Sequence, residues 1–99
     1  QVVPGPSRRP MAKAILTRCQ RVNDHVEMSG YVENTGTVEL TYVTVQSIWK
    51  DANGRVLERG VVYAVDNTSL KVGEKREFTD STDRPRVAKC NVETLDWWS

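Results

Sequence analysis

Cys19 and Cys90 carry the most distinctive chemistry in this 99-residue chain. They admit two readings: one bridge between distant segments, or two buried thiols acting as small hydrophobes. Sequence does not show Cβ geometry, so both stand. His25, the one histidine, sits between Asp24 and Glu27, a base beside acids. A Ser-His-Asp device also needs a nucleophile in the same pocket, and nothing else in the sequence supports one. His25 therefore reads as an exposed strand-edge residue. One histidine and two distant cysteines lack the paired short spacings of a zinc site. Asp66, Asp80 and Asp83, with Ser81 and Thr82, lack the spacing of an EF-hand loop and read as turn residues. The six glycines are dispersed and form no phosphate loop. Asn67-Thr68-Ser69 is a glycosylation sequon, meaningful only in a eukaryotic secretory protein. The expectation is a protein that is not an enzyme, with no metal, no cofactor and no small-molecule substrate.

Two candidate surfaces remain. The first 21 residues hold five of the 14 basic groups and none of the 13 acids. Arg8, Arg9 and Lys13 lead this arm, which could bind phosphate, nucleic acid or an anionic membrane surface. The remainder is acidic in balance and should repel phosphate unless the charges are segregated, so nucleic acid is not the expected partner. The second candidate is aromatic. Alternation puts Trp97 and Trp98 on opposite sides of a strand, one packed and one free for an interface. Tyr31, on the wet face of its own strand, could join such a patch, as could Tyr42 or Tyr63.

The elements that must position these residues follow a period of two. Residues 1–12 contain Pro4, Pro6 and Pro10 without apolar periodicity and read as a flexible Pro/Arg-rich linker, leaving 13–99 as the domain. The start at Gln1 points to a processed or excised product, with any signal peptide removed or never included. Residues 13–22 are strand-compatible, with Ile15, Thr17 and Cys19 on one face. Asn23-Asp24 turns the chain. Val26, Met28, Gly30 and Val32 then alternate with polar partners, as in a strand with one wet face. After Asn34–Thr37, the run 38–50 is rich in β-branched and aromatic residues and suits a sheet centre. Asp51–Gly54 closes a hairpin. Residues 55–65 return, with Gly60 as a bend. A turn at 70–74, a short strand 75–79 carrying Phe78, a loop 80–85 and a final strand 87–98 complete the chain. No segment is a convincing amphipathic helix, and no apolar run approaches the ~20 residues of a membrane span. With 38% hydrophobic and 27% charged residues, the composition is that of one ordinary domain. Turn signals roughly every ten residues suggest an all-β sandwich or small barrel.

Gly30, Val32, Asn34 and Gly36, then Leu40, Val43 and Val45, then Asp51 and Gly54, form a recognisable series. With Leu70-Lys71-Val72-Gly73-Glu74 and Phe78, they resemble the FxLYD-type immunoglobulin-like domains of bacterial envelope proteins. The likeness covers about residues 13–98. Ser47, Trp49 and Lys50 stand where the naming motif has Phe, Leu and Tyr, and Val72 replaces the usual proline. The resemblance implies an immunoglobulin-like antiparallel β-sandwich of about seven strands. It implies a non-catalytic accessory module of an exported or membrane-anchored bacterial protein, in the periplasm or cell envelope. The partner would be a protein or a neighbouring domain, reached by display of loops and a sheet face or by strand addition. Membrane contact would come only through a segment absent from this chain. In such a sandwich the first and last strands can lie side by side, where Cys19 and Cys90 could meet; two free thiols remain the alternative.

Overall fold

The computed structural model describes residues 9–99, which form six strands and no helix. They are β1 (Ala12–Val22), β2 (His25–Asn34), β3 (Leu40–Lys50), β4 (Val56–Leu70), β5 (Lys75–Thr82) and β6 (Lys89–Trp98). Two three-stranded antiparallel sheets, β1-β2-β5 and β4-β3-β6, face each other as a β-sandwich. Tight turns join β1 to β2 and β3 to β4, and the other connections cross between the sheets. β3 is a central strand, as its β-branched and aromatic content requires.

The strand count is six, not the about seven that the resemblance implies, and β4 runs unbroken for 15 residues. Gly60 does not bend it. It pairs regularly with Ser47 across the sheet. A Cβ there would lie 2.6 Å from the buried Ser47 hydroxyl, so glycine is needed for close packing and not for a bulge.

The clean alternation of β2 puts Val26, Met28, Gly30, Val32 and Asn34 inside, all buried. Facing them are two clusters. Val32, Leu40, Val43, Val45, Val65, Leu70 and Phe78 fill one half of the sandwich. Val26, Met28, Trp49, Val87 and Cys90 fill the other. Trp49, at 1% exposure, is the largest fully buried side chain.

In β1 the expected face changes partway. The register slips between Leu16 and Arg18, leaving Thr17 as an extra residue opposite β2. Gly30 admits the bulge, because a Cβ there would collide with the Ile15 carbonyl oxygen and meet Phe78 at 3.0 Å. Past the bulge, Cys19 pairs with buried Met28 and no longer shares a face with Ile15. The bulge therefore turns Cys19 to the Met28 side of the sheet, towards β6, although Cys19 itself stays exposed.

Strand β1 begins at Ala12, and residues 9–11 just before it are bonded to the 35–37 turn. Arg9 N donates to Thr37 Oγ1 at 2.9 Å, and Thr37 N donates to Arg9 O at 3.0 Å. Thr35 N donates to Met11 O, and Ala12 is buried. Of the linker expected over 1–12, residues 1–8 lie outside the described residues, Arg8 among them; residues 9–12 are tied down by these backbone bonds.

Candidate functional site

The outward face of β4-β3-β6 is built by the residues that alternate with the core. Register places Asp66, Tyr42 and Trp98 in one row across the three strands. The next row is Tyr63, Thr44 and Asp96, followed by Val61, Gln46 and Glu93, then Arg59, Ile48 and Asn91. A register shift near the end of β6 leaves Leu95 as the extra residue. The shift sends Trp97 inward opposite Val43 and Trp98 outward opposite Tyr42.

Tyr42 lies flat against Trp98, with ring centroids 3.8 Å apart and planes at 13°. It meets Tyr63 edge-on at 6.1 Å. The Tyr42–Tyr63 contact has the edge-to-face geometry that aromatic quadrupoles favour. Tyr63 and Trp98 remain 60% and 51% exposed, and Val61 beside them 51%. The Tyr42 phenol is held above its ordinary range, first by burial of the ring, then by the neighbouring Tyr63 phenol and by the carboxylates of Asp66 and Asp96. The face thus combines open aromatic area with a negative field.

The other aromatic candidates go elsewhere. Trp97 packs against the first core cluster, and its Nε1 donates to Pro10 O at 2.8 Å. Tyr31 lies on the outward face of the opposite sheet, where Lys75 Nζ sits 5.0 Å from its ring centre. The three residues Tyr31, Trp97 and Trp98 therefore occupy an outer face, an interior and the other outer face. Trp98 has Tyr42 and Tyr63 as its neighbours. Asp96, Val61 and Leu95 were not among the sequence candidates, and Asp66, expected in a turn, lies within β4. Register shifts between β3 and β4 set the places of Val61 and Asp66, and the shift between β3 and β6 sets those of Leu95 and Asp96.

Cys19 and Cys90 form a disulfide, with Cα atoms 5.9 Å apart. It joins β1 to β6, the neighbouring edges of two different sheets, where Ala14 N also donates to Thr94 Oγ1. Arg9 and Lys13, the described part of the basic arm, are both exposed, Arg9 at the 35–37 loop and Lys13 at the start of β1.

His25 borders a concavity of about 330 Å³ with Glu27, Met28, Thr79, Asp80 and Ser81. Its Nε2 meets Glu27 Oε1 at 2.8 Å and its Nδ1 meets Asp24 Oδ1 at 3.4 Å. These two carboxylates, Glu27 foremost, hold its pKa above the ordinary histidine value. With both ring nitrogens turned to acids, neither is poised to take a proton from Ser81, whose backbone N is bound to Asp80 Oδ1. Among the described residues no three His, Cys, Asp or Glu side chains converge as a metal site.

No family model matches the chain, and no curated protein matches it. Among solved structures, it is similar to a crystal structure of a DUF1425 family member from Shewanella sp. PV-4. The TM-score is 0.68 at 15% identity, over 98% of this chain and 88% of that one. The similarity is one of fold: a small all-β domain of two antiparallel sheets. The disulfide adds a weak pointer to an oxidising, extracytoplasmic compartment.

Proposed function

We propose that this chain is a non-catalytic interaction module of an exported bacterial protein. It works by presenting the outward face of β4-β3-β6 to a protein partner or a neighbouring domain. The observation that carries this reading is the strip of Tyr63, Tyr42 and Trp98 with Val61, left open on a rigid sheet. Amphipathic aromatics in such a position supply contact area at low entropic cost. The disulfide supports the extracytoplasmic setting. The motif from Gly30 to Gly54 supports the immunoglobulin-like, FxLYD-type label and the envelope context that label implies, and the fold neighbour supports the all-β architecture alone.

Photo-crosslinking in the expressing bacterium tests the reading. A photoreactive residue at Val61 should give a discrete adduct that Trp98→Ala abolishes while the domain stays folded. The same residue at Ser29, on the opposite sheet, should give none. Equal adducts from both positions, or none from either, would reduce the domain to a spacer.

A further inference from the structure

The aromatic strip lies among acids that lack countercharges among the described residues. Asp66 stands opposite Tyr42 on β4, and Asp96 stands opposite Thr44 on β6, with Glu93 one row on. Carboxylates thus flank the three rings on both sides. Among the described residues, none of the three acids has a basic side chain within ion-pair distance. On one side, Arg59 lies in the row beyond Val61 and Glu93, where its Nη1 is bound to Gln46 Oε1 at 2.9 Å; on the other, past Asp66 on β4, the Arg76 guanidinium is bound to Thr68 Oγ1 at 3.1 Å and Ser69 O at 2.8 Å. The contrast with the opposite sheet is direct: there the exposed Tyr31 already has Lys75 over its ring.

The chemistry selects among occupants. An anionic ligand would meet Asp66, Asp96 and Glu93 head-on. A purely apolar segment would cover the rings but strand nearby carboxylates away from water without partners, which is costly. A guanidinium satisfies both features. Its flat face stacks on Trp or Tyr, and its N–H edge pairs with a carboxylate in fork geometry. Resting on the interaction reading above, we infer that the partner of this face is an arginine-bearing peptide segment, its guanidinium stacked on the exposed ring of Trp98 or Tyr63 and paired with Asp96 or Asp66.

The test uses the full 99-residue chain, labelled with ¹⁵N, and three synthetic peptides at low salt. One is acetyl-Gly-Arg-Gly-Arg-Gly-amide, the second replaces arginine by neutral citrulline, and the third by glutamate. The arginine peptide should shift the Trp98 indole N–H and the amides of Tyr42, Tyr63 and Asp96, and leave those around Tyr31 unmoved. Citrulline keeps the planar shape but not the charge, and should weaken binding at least about tenfold, the scale of one charge-assisted contact. Asp66→Asn with Asp96→Asn should weaken the arginine peptide similarly without unfolding the domain, and the glutamate peptide should not bind. Equal response to arginine and citrulline, shifts spread over both sheets, or no response to any peptide would overturn the inference. A Trp98-dependent crosslink at Val61 with no arginine preference would keep the interaction module and remove only the cationic partner.

Discussion

The half of the sandwich around Trp49 is closed by a covalent bond, whereas the half around Leu40 and Leu70 is closed by hydrogen bonds converging on one amide. In the first, Cys19–Cys90 ties β1 to β6 beside Val26, Met28 and Val87. In the second, the buried Asn34 side chain donates from Nδ2 to Val38 O at 2.8 Å and to Leu70 O at 2.9 Å. Its Oδ1 accepts from Gly36 N at 3.0 Å. Its backbone adds bonds to Glu74 O and from Gly73 N. The difference follows from what each half has to join. β1 and β6 are edge strands of separate sheets and share no ladder, so a side-chain link must hold them. At the other end two crossing turns bring backbone groups into the interior, and these must find partners there. Asparagine offers both donors and an acceptor in one short side chain. The aromatic strip lies over this second half, on a platform whose connections are polar and specific.

Breaking the bridge should have the largest effect. Cys19→Ser with Cys90→Ser frees a loop spanning most of the chain, and should cost about 4 kcal/mol in the chain-entropy account. Urea unfolding measures the total, and hydrogen exchange gives its distribution. The loss of protection should concentrate in β1, β6 and the strand around Trp49, with Gly36 and Leu40 less affected. A uniform loss would mean that the two halves unfold as one unit and that the contrast between them is only geometric.

Asn34 tests the other half. Asn34→Ala leaves two buried carbonyls and one buried N–H without their partners, and should cost about 2–3 kcal/mol. Exchange should accelerate first at Gly36 and Thr37, with the disulfide intact. Asn34→Asp keeps the acceptor for Gly36 N and removes both donors. It should therefore fail to restore stability, since a carboxylate would face the Val38 and Leu70 carbonyls. Recovery by Asp would show that the turn at Gly36 alone matters and that the link to Leu70 is incidental.

The two halves were not equally legible in the sequence. The Gly30-Val32-Asn34-Gly36 series marks the turn that Asn34 organises, and the alternation of β2 is read directly because nothing interrupts it. Cys19 could be paired with Cys90 only as one of two options. A simple period of two sets it beside Ile15 and Thr17, and only the bulge at Thr17 turns it to the Met28 side. Bulges obey tertiary packing, here the close approach of Ile15 to Gly30, and leave no local mark in β1 itself. The same limit governed the site. Trp97 and Trp98 were separable as one inward and one outward residue, but the extra residue Leu95 decides which is which. Sheet membership then puts Tyr31 on the opposite outer face, and the registers of β3 with β4 and β6 set Tyr42 and Tyr63 beside Trp98.

The smallest expected effect separates the halves by pH. His25 flanks Val26 in the bridged half and titrates above its ordinary value because of Glu27 and Asp24. The folded protein therefore holds that proton more tightly than the unfolded chain. This contribution is fully present below the ordinary histidine pKa and is lost as pH rises through the raised one. Tyr42 flanks Val43 in the other half and is also raised, through ring burial and its negative neighbours. Its neutral form is favoured in the fold, so its contribution disappears only as pH climbs past the ordinary tyrosine range. Melting temperature against pH should thus fall slightly in two separate windows, one near neutrality and one alkaline. Both steps should be small, because both side chains are only partly buried and remain in contact with solvent. His25→Gln should flatten the first and leave the second, and Tyr42→Phe should do the reverse. A near-neutral slope that survives His25→Gln would place the titrating group elsewhere. Loss of both slopes in either variant would show that the two halves respond to protons together.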